Sequence, residues 1–518
     1  MDFDILIRGG MVVDGTGKNP AHAADVGIRG DRVAAIGRLE GARAATVVDA
    51  AGRAVAPGFI DVHVHSEIAL LGGPHRYGGL LQGVTTHLLA PDGFGWAPLP
   101  HQPAVELWEA TEFAYGKADL ALDWPTPEAY LDIFKGNTPA NVVPQVPHCA
   151  VRLAAMGWEA RTARPDELEK MRAGVRRWLE AGAVCLCLGL EYQPSAYADT
   201  HELIELSKVA QEYGAIYAAH IRIRETSVQA AWRETMEIGQ MAAIPVHISH
   251  TAVSDVTEPL LDEAARTCDL TIESYMYPAS CTHLVMMLPN WAQGGGPAGI
   301  RRRLQDPATR AQMAAALEER VVEGASRGAR AVFAANQTGR YIGLSVPEAA
   351  EAAGMPLGEF ALRTLEEESP YALMVYHQGG TPADHAALVR RTIRHPRMMV
   401  ASDGIYHGQR PHPRGYGCFA RALRLGVREL QAVSLEEAVH KMTGFPAERF
   451  RIPERGVLAE GRPADVVVFD PATVADGATF AAPYGEPAGV DAVLVNGEVV
   501  VRQGRPTGRL PGRVIRRR

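Results

Sequence analysis

Pro57-Gly58-Phe59-Ile60-Asp61-Val62-His63-Val64-His65 is the stretch on which the reading of this chain turns. The apolar run Ala54-Val55-Ala56 leads into it, so it reads as the first strand of a buried sheet. Side chains alternate faces along a strand, so His63 and His65 point the same way. Two imidazoles on one face, at the C-terminal end of a strand, can hold one divalent ion. Two histidines two apart are by themselves an ordinary pattern. What singles out this pair is a series of further ionisable residues, each near the end of a later apolar run.

On the N-terminal side of this stretch the sequence is all short strands. Residues 3–8, 11–14, 25–29 and 32–36 alternate, with turns at Asp14-Gly15 and Gly30-Asp31. Strands this short need a partner. The far end supplies it: residues 465–470 and 490–501, with a turn at Asn496-Gly497, are again strand and hairpin. Residues 1–55 and 456–518 are therefore expected to form one small β-sandwich from both termini, followed by a basic surface tail at 513–518.

Between them, residues 56–455 alternate strand-like and helical runs. Candidate strands lie at 84–90, 142–146, 184–188, 216–220, 246–250, 270–275, 373–376 and 398–402, with helical patterns at 165–181, 200–213 and 226–242. The fold class expected is α/β, a (β/α)8 TIM-like barrel. A doubly wound open sheet is the structural alternative, but no GxGxxG or GxxxxGK[ST] pattern opens a helix after the first strand. The span 289–370, with Gly294-Gly295-Gly296, is longer than a barrel connection needs and reads as an insertion beside the site.

The 518 residues are 47% hydrophobic and 22% charged, with a net charge of −8. That suits a globular enzyme of more than one domain and offers no basic field for nucleic acid. No apolar run is long enough for a transmembrane helix, and the acidic start, Met1-Asp2-Phe3-Asp4, lacks the layout of a signal peptide. Six scattered cysteines without a CxxC pair fit a reducing cytoplasm.

Barrel strands aim their C-terminal ends at one shared pocket. His63, His65, Glu191, His220, His250 and Asp403 all sit at such ends. Gathering these groups is costly without a cation; with one or two divalent ions they become an ordinary nitrogen and oxygen ligand set. A metal there would polarise a carbonyl and acidify water. Asp403 is the carboxylate positioned to shuttle the proton. His247 reads as a core histidine facing away from the metal, and His87 as a barrel-wall residue. His377, His385, His407 and His412 read as solvated or structural, and Trp96, Trp291 and Tyr406 as packing residues.

These motifs, with Gly83-Val84-Thr85-Thr86, Gly189-Leu190-Glu191-Tyr192, Ile248-Ser249-His250, Ser402-Asp403-Gly404 and His412-Pro413-Arg414-Gly415-Tyr416-Gly417, resemble the amidohydrolase superfamily. Within it the resemblance is to the N-acyl-D-amino-acid deacylases, and it covers nearly the whole chain. It implies zinc, as one or two divalent ions, and hydrolysis of a linear amide by metal-activated water with Asp403 as proton shuttle. The substrate implied is a small N-acyl amide, with no nucleic acid or membrane partner; a homo-oligomer is left open. His63, His65, His220 and His250 match the ligand histidines.

Two departures matter. Where D-aminoacylases often carry a ligand cysteine, this chain has Asp92. Glu191 stands nearest to the bridging lysine of other superfamily members. A carboxylate bridge is therefore expected, Glu191 first and Asp92 second. The second departure is His250-Thr251-Ala252, which lacks the lysine expected to help hold the substrate carboxylate. Arg414, Tyr192, Tyr275 and Tyr277 remain as substrate-binding residues, and a non-standard, larger or uncharged amide is expected. The alternatives are a cyclic amide hydrolase of hydantoinase or lactam type and, from another class, a non-catalytic scaffold of the same fold.

Overall fold

The computed structural model describes residues 2–368 and 372–517. Met1, the expected insertion end at Pro370 and the last residue of the tail, Arg518, lie outside the described residues.

Eight parallel strands close into a barrel. They are β1 (Phe59–Asp61, resuming at Val64–His65), β2 (Val84–Leu88), β3 (Asn141–Val143, resuming at Val146–Pro147) and β4 (Cys185–Gly189). Then come β5 (Ile216–His220), β6 (Val246–Ile248), β7 (Leu270–Ser274) and β8 (Met398–Val400, resuming at Gly404–Ile405). Each pairs with the next in register, and Gly404 and Ile405 pair with Val64 and His65 to close the ring. The closing seam carries Asp61, whose carboxylate accepts from the Ser402 backbone at 3.0 Å, and Asp403, whose N–H donates to His63 O at 2.8 Å. Glycine is required at position 58: a Cβ there would meet Thr85 Oγ1 at 2.2 Å, so only glycine lets β1 lie this close to β2.

The helices form the outer layer by the usual apolar stripe. In Pro165–Glu180, Leu168, Met171, Val175, Trp178 and Leu179 are buried, a helical spacing with one face toward the barrel. Pro165 at the first turn and Glu167, which accepts from the Arg164 N–H at 2.8 Å, start it.

Both chain ends meet in one nine-stranded sheet. Phe3–Val12 pairs in parallel with Ala44–Asp49 along its first part and with Ala54–Pro57 along its second, changing partner around Gly9-Gly10. Ala54–Pro57 then pairs with Val466–Phe469, which leads to Val490–Val495 and Glu498–Arg502. Ile5, Ile7, Val26, Ile28, Val466, Val468 and Leu494 share its core. The run before Gly58 thus belongs to the terminal sheet, and the barrel begins only at Phe59.

Two expectations are corrected here. Leu373–His377 is no barrel strand; it lies in a three-stranded antiparallel sheet with Ala279–His283 and Arg330–Ala335. This sheet and the helices from Asn290–Gln293 to Leu357–Glu367 fill the connection between β7 and β8. The inserted structure therefore starts before residue 289. A five-residue apolar run has the same pattern in either sheet, and only its pairing tells them apart. The tail is also no loose surface segment. Val142 N donates to Arg513 O and Ile515 N to Val142 O, both near 2.9 Å, and Ile515 is buried beneath the barrel. The two apolar residues Val514 and Ile515 among the arginines explain the docking.

Candidate metal centre

The ligand-type residues all leave the C-terminal ends of barrel strands. Three groups converge: His63, His65 and Asp92; His63, His250 and Asp403; and Asp92, His220 and His250. Within each group the donor atoms lie within 4.8 Å of one another. Asp92 is the hub. Its Oδ1 is 3.5 Å from His63 Nε2 and 3.8 Å from both His220 Nδ1 and His250 Nε2, and its Oδ2 is 3.7 Å from His65 Nε2. Asp403 Oδ1 closes the other side, 3.4 Å from His65 and 3.7 Å from His63.

The residues fit a divalent ion. His63 Nε2 and Asp92 Oδ1 are buried and have no hydrogen-bond partner, a costly arrangement that coordination would repair. The outer nitrogens are already committed. His63 Nδ1 is 3.1 Å from Glu273 Oε1, and His220 Nε2 is 2.8 Å from Glu191 Oε2. Such outer carboxylates fix the tautomer so that the inner nitrogen faces the ion. Three overlapping donor groups give room for one or two ions.

The order expected for the carboxylates is reversed. Among the described residues Glu191 joins none of the donor groups, whereas Asp92 joins two. Glu191 sits behind His220, accepts from the Arg224 N–H at 2.5 Å and is ion-paired with the Arg224 guanidinium. Burial pushes its carboxyl up, but Arg224 and His220 outweigh that and hold it at about 2. Arg222, on the same loop as Arg224, pairs with Glu234 instead. Asp92 reaches the centre because it follows β2 through a tight turn, where Asp92 itself has φ 54. His250 (φ 33) and Asp403 (φ 48) share this left-handed backbone. Non-glycine residues held there carry strain of about 1–3 kcal/mol each.

Asp403 is a carboxylate at neutral pH. Burial raises its pKa, but Arg414, His65, His250 and His63 overcome that and bring it to about 2. Arg414 Nη2 lies 2.9 Å from Asp403 Oδ2, and its guanidinium stacks over the Tyr275 ring at 4.6 Å. Arg414 is thus fully buried beside Asp403. Its Nε and Nη1 nonetheless have no partner.

A cavity of about 370 Å³ opens over the centre, with Glu191, Tyr192, His220, His250, Tyr275 and Asp403 in its wall. Tyr277 is not part of it. The chain leaves β7 at Ser274, and Tyr277 packs against His412 and Phe480 with Arg421 over its ring. Ala252 does line the cavity, and so does Arg224. The loop after β5 thus brings to the cavity wall a guanidinium that is paired with Glu191. His247 is a hydrogen-bonded core histidine, as expected from its place in the strand. It meets Thr271 Oγ1 at 2.8 Å and pairs with Glu273.

Sequence reasoning missed Glu273 and Arg224. Glu273 stands inside the apolar strand Leu270-Thr-Ile-Glu-Ser, and a buried carboxylate there requires partners. It has three: His63, His247 and the His250 N–H at 2.8 Å. Burial raises its carboxyl, and the two histidines pull it well below the ordinary carboxylate range. Replacing Glu273 by Gln is expected to weaken metal affinity by about 10–100-fold, read by chelator competition, with the fold retained. Unchanged affinity would leave Glu273 as core packing only.

The comparisons with known proteins agree with this geometry. The model of the amidohydrolase family matches residues 303–501. The chain is 35% identical to D-aminoacylase of Alcaligenes xylosoxydans xylosoxydans, over 99% of this chain and 98% of that one. It is also 35% identical to N-acyl-D-glutamate deacylase of the same organism, over 99% and 97%. Among solved structures it is similar to N-acyl-D-glutamate deacylase from Bordetella bronchiseptica, complexed with zinc and a phosphonate mimic of the tetrahedral intermediate. That likeness has 32% identity, a TM-score of 0.82 and full coverage of both chains.

Proposed function

Because the chain belongs to the amidohydrolase family, among the D-aminoacylase-like deacylases, we propose that it hydrolyses the linear amide of an N-acyl-D-amino acid or a related N-acyl compound. The observation that carries this reading is the convergence of four histidines, Asp92 and Asp403 at the barrel mouth. His63 and His65, with Asp92 and with His220 and His250, would hold zinc, as one ion or two. Zinc bound there supplies Lewis acidity toward the amide carbonyl and lowers the pKa of water.

The chain's own residues do the rest. Asp403, ionised and aimed into the cavity, takes the proton of the attacking water and returns it to the departing amine nitrogen. Arg414 keeps Asp403 ionised, and its free Nε and Nη1 edges suit the carboxylate next to the scissile amide. Glu191 and Glu273 hold His220 and His63 in the orientation that ligation needs. Tyr192 and Tyr275 line the cavity as substrate walls. We assign this chemistry to residues 59–455 and a supporting role to the two ends, 1–58 and 456–518.

The six cysteines are all free, which supports a reducing compartment such as the cytoplasm. Among the described residues no helix is long and apolar enough to cross a membrane.

The test is amine release from a panel of N-acetyl D- and L-amino acids with zinc-reconstituted protein. D-selective turnover is expected. Preference for L-substrates, or ring opening of a hydantoin without turnover of any linear amide, would overturn the reading.

A further inference from the structure

The cavity over the metal centre adjoins a second one. Ile223, Arg224 and Ser280 line both, and the second, of about 510 Å³, lies between the barrel and the inserted structure. The two volumes together exceed what an acetyl group could use and lie in the range of drug-sized ligand sites. The floor of the outer cavity is apolar and adaptable, with Met286 and Met287 among its residues. Its rim carries four guanidinium groups, those of Arg224, Arg320, Arg327 and Arg330, with the carboxylate of Glu323.

These arginines have protein partners, but two of them hold loosely. Arg327 pairs with Glu323, and Arg330 Nη2 lies 2.9 Å from Glu348, both on exposed side chains. Exposed pairs of this kind contribute little and exchange readily for another anion. Arg320 is fixed differently. It donates to Met286 O at 2.9 Å and meets Glu225 at 3.1 Å, which ties the β5 loop carrying Arg224 to the insertion. The methionine floor and the loop that carries Arg224 are thus held together at the boundary of the two cavities.

Resting on the deacylase reading above, we propose that the outer cavity is an acyl subsite for N-acyl groups whose distal end carries a carboxylate. With the carboxylate beside the scissile amide assigned to the free edge of Arg414, the side of Arg224 is left to the acyl chain. Its methylenes lie on the methionine floor and its terminal carboxylate meets Arg327 and Arg330. The reaction is hydrolysis. The amide C–N bond breaks, the water oxygen joins the acyl carbon and a proton goes to the amine. The products are a dicarboxylate and a free amino acid.

The experiment compares matched pairs on one D-amino acid with the zinc-loaded full chain: N-succinyl against N-butanoyl, N-glutaryl against N-pentanoyl, and N-adipoyl against N-hexanoyl, with N-acetyl alongside. For at least one chain length kcat/KM is expected to favour the dicarboxylic acyl group by about tenfold or more, through KM, and added salt should shrink the advantage. Arg330→Ala and Arg327→Ala should bring the ratio toward one, and Arg330→Glu should reverse it. These side chains are exposed, so the variants keep the fold. Turnover of N-acetyl substrate with a ratio of one or below at every length would overturn the subsite and leave the deacylase reading standing. No turnover of any N-acyl-D-amino acid would overturn both.

Discussion

Asp403→Asn lowers kcat by about 10²–10⁴-fold, the usual range for losing a positioned general base and acid. The amide cannot take the water proton, while it keeps the shape of the side chain. The loss should fall on kcat more than on KM, because Asp403 acts on the reacting atoms. Two controls separate chemistry from collapse. Thermal melting reports whether the buried guanidinium of Arg414, now without its counter-charge, has destabilised the fold. Elemental analysis reports whether zinc is still bound. Full turnover in a folded, zinc-loaded Asp403→Asn protein would remove Asp403 from the scheme. The wild-type carboxylate, held at about 2, stays ionised across the working range. Any acid limb above about pH 4 therefore belongs to other groups.

Asp92→Ala is expected to empty the centre. Asp92 is the only side chain within 4 Å of all four histidines among the described residues. Without it, the four imidazoles keep only Asp403, at the side of His63 and His65, as a facing carboxylate. Loss of an outer-sphere partner alone costs about 10–100-fold in affinity, so loss of this hub should cost about 10³-fold or more. Dialysed Asp92→Ala protein should carry little zinc, and excess zinc should restore it only in part. Glu191→Gln serves as the contrast: it should retain zinc far better, since Glu191 reaches the ion only through His220. Equal zinc loss in the two variants would put Glu191 back in the inner sphere.

Much of this site was legible in the chain. His63 and His65 follow from strand alternation, and His220, His250 and Asp403 from their places at strand ends. What alternation cannot supply is depth and partnership. Glu191 and Asp92 both follow strands, yet one faces an arginine on the next loop and the other turns inward through a left-handed bend. That choice is made by backbone geometry and by Arg224, thirty-three residues away from Glu191. Glu273 was hidden because a single acid in an apolar strand has no periodicity to betray its role. The barrel itself was readable from its alternation of elements. One strand was misassigned because Leu373–His377 is as apolar as a barrel strand and differs only in what lies beside it.

Asp92, His250 and Asp403 share a backbone shape that glycine adopts freely and they do not. The three positions are therefore where heat resistance and turnover pull in opposite directions. A library selected for melting temperature alone has reason to enrich Asp92→Gly, His250→Gly and Asp403→Gly, each of which relaxes the chain and discards a functional group. Improvement of this protein as a catalyst calls for freezing those three codons before any stabilising search begins.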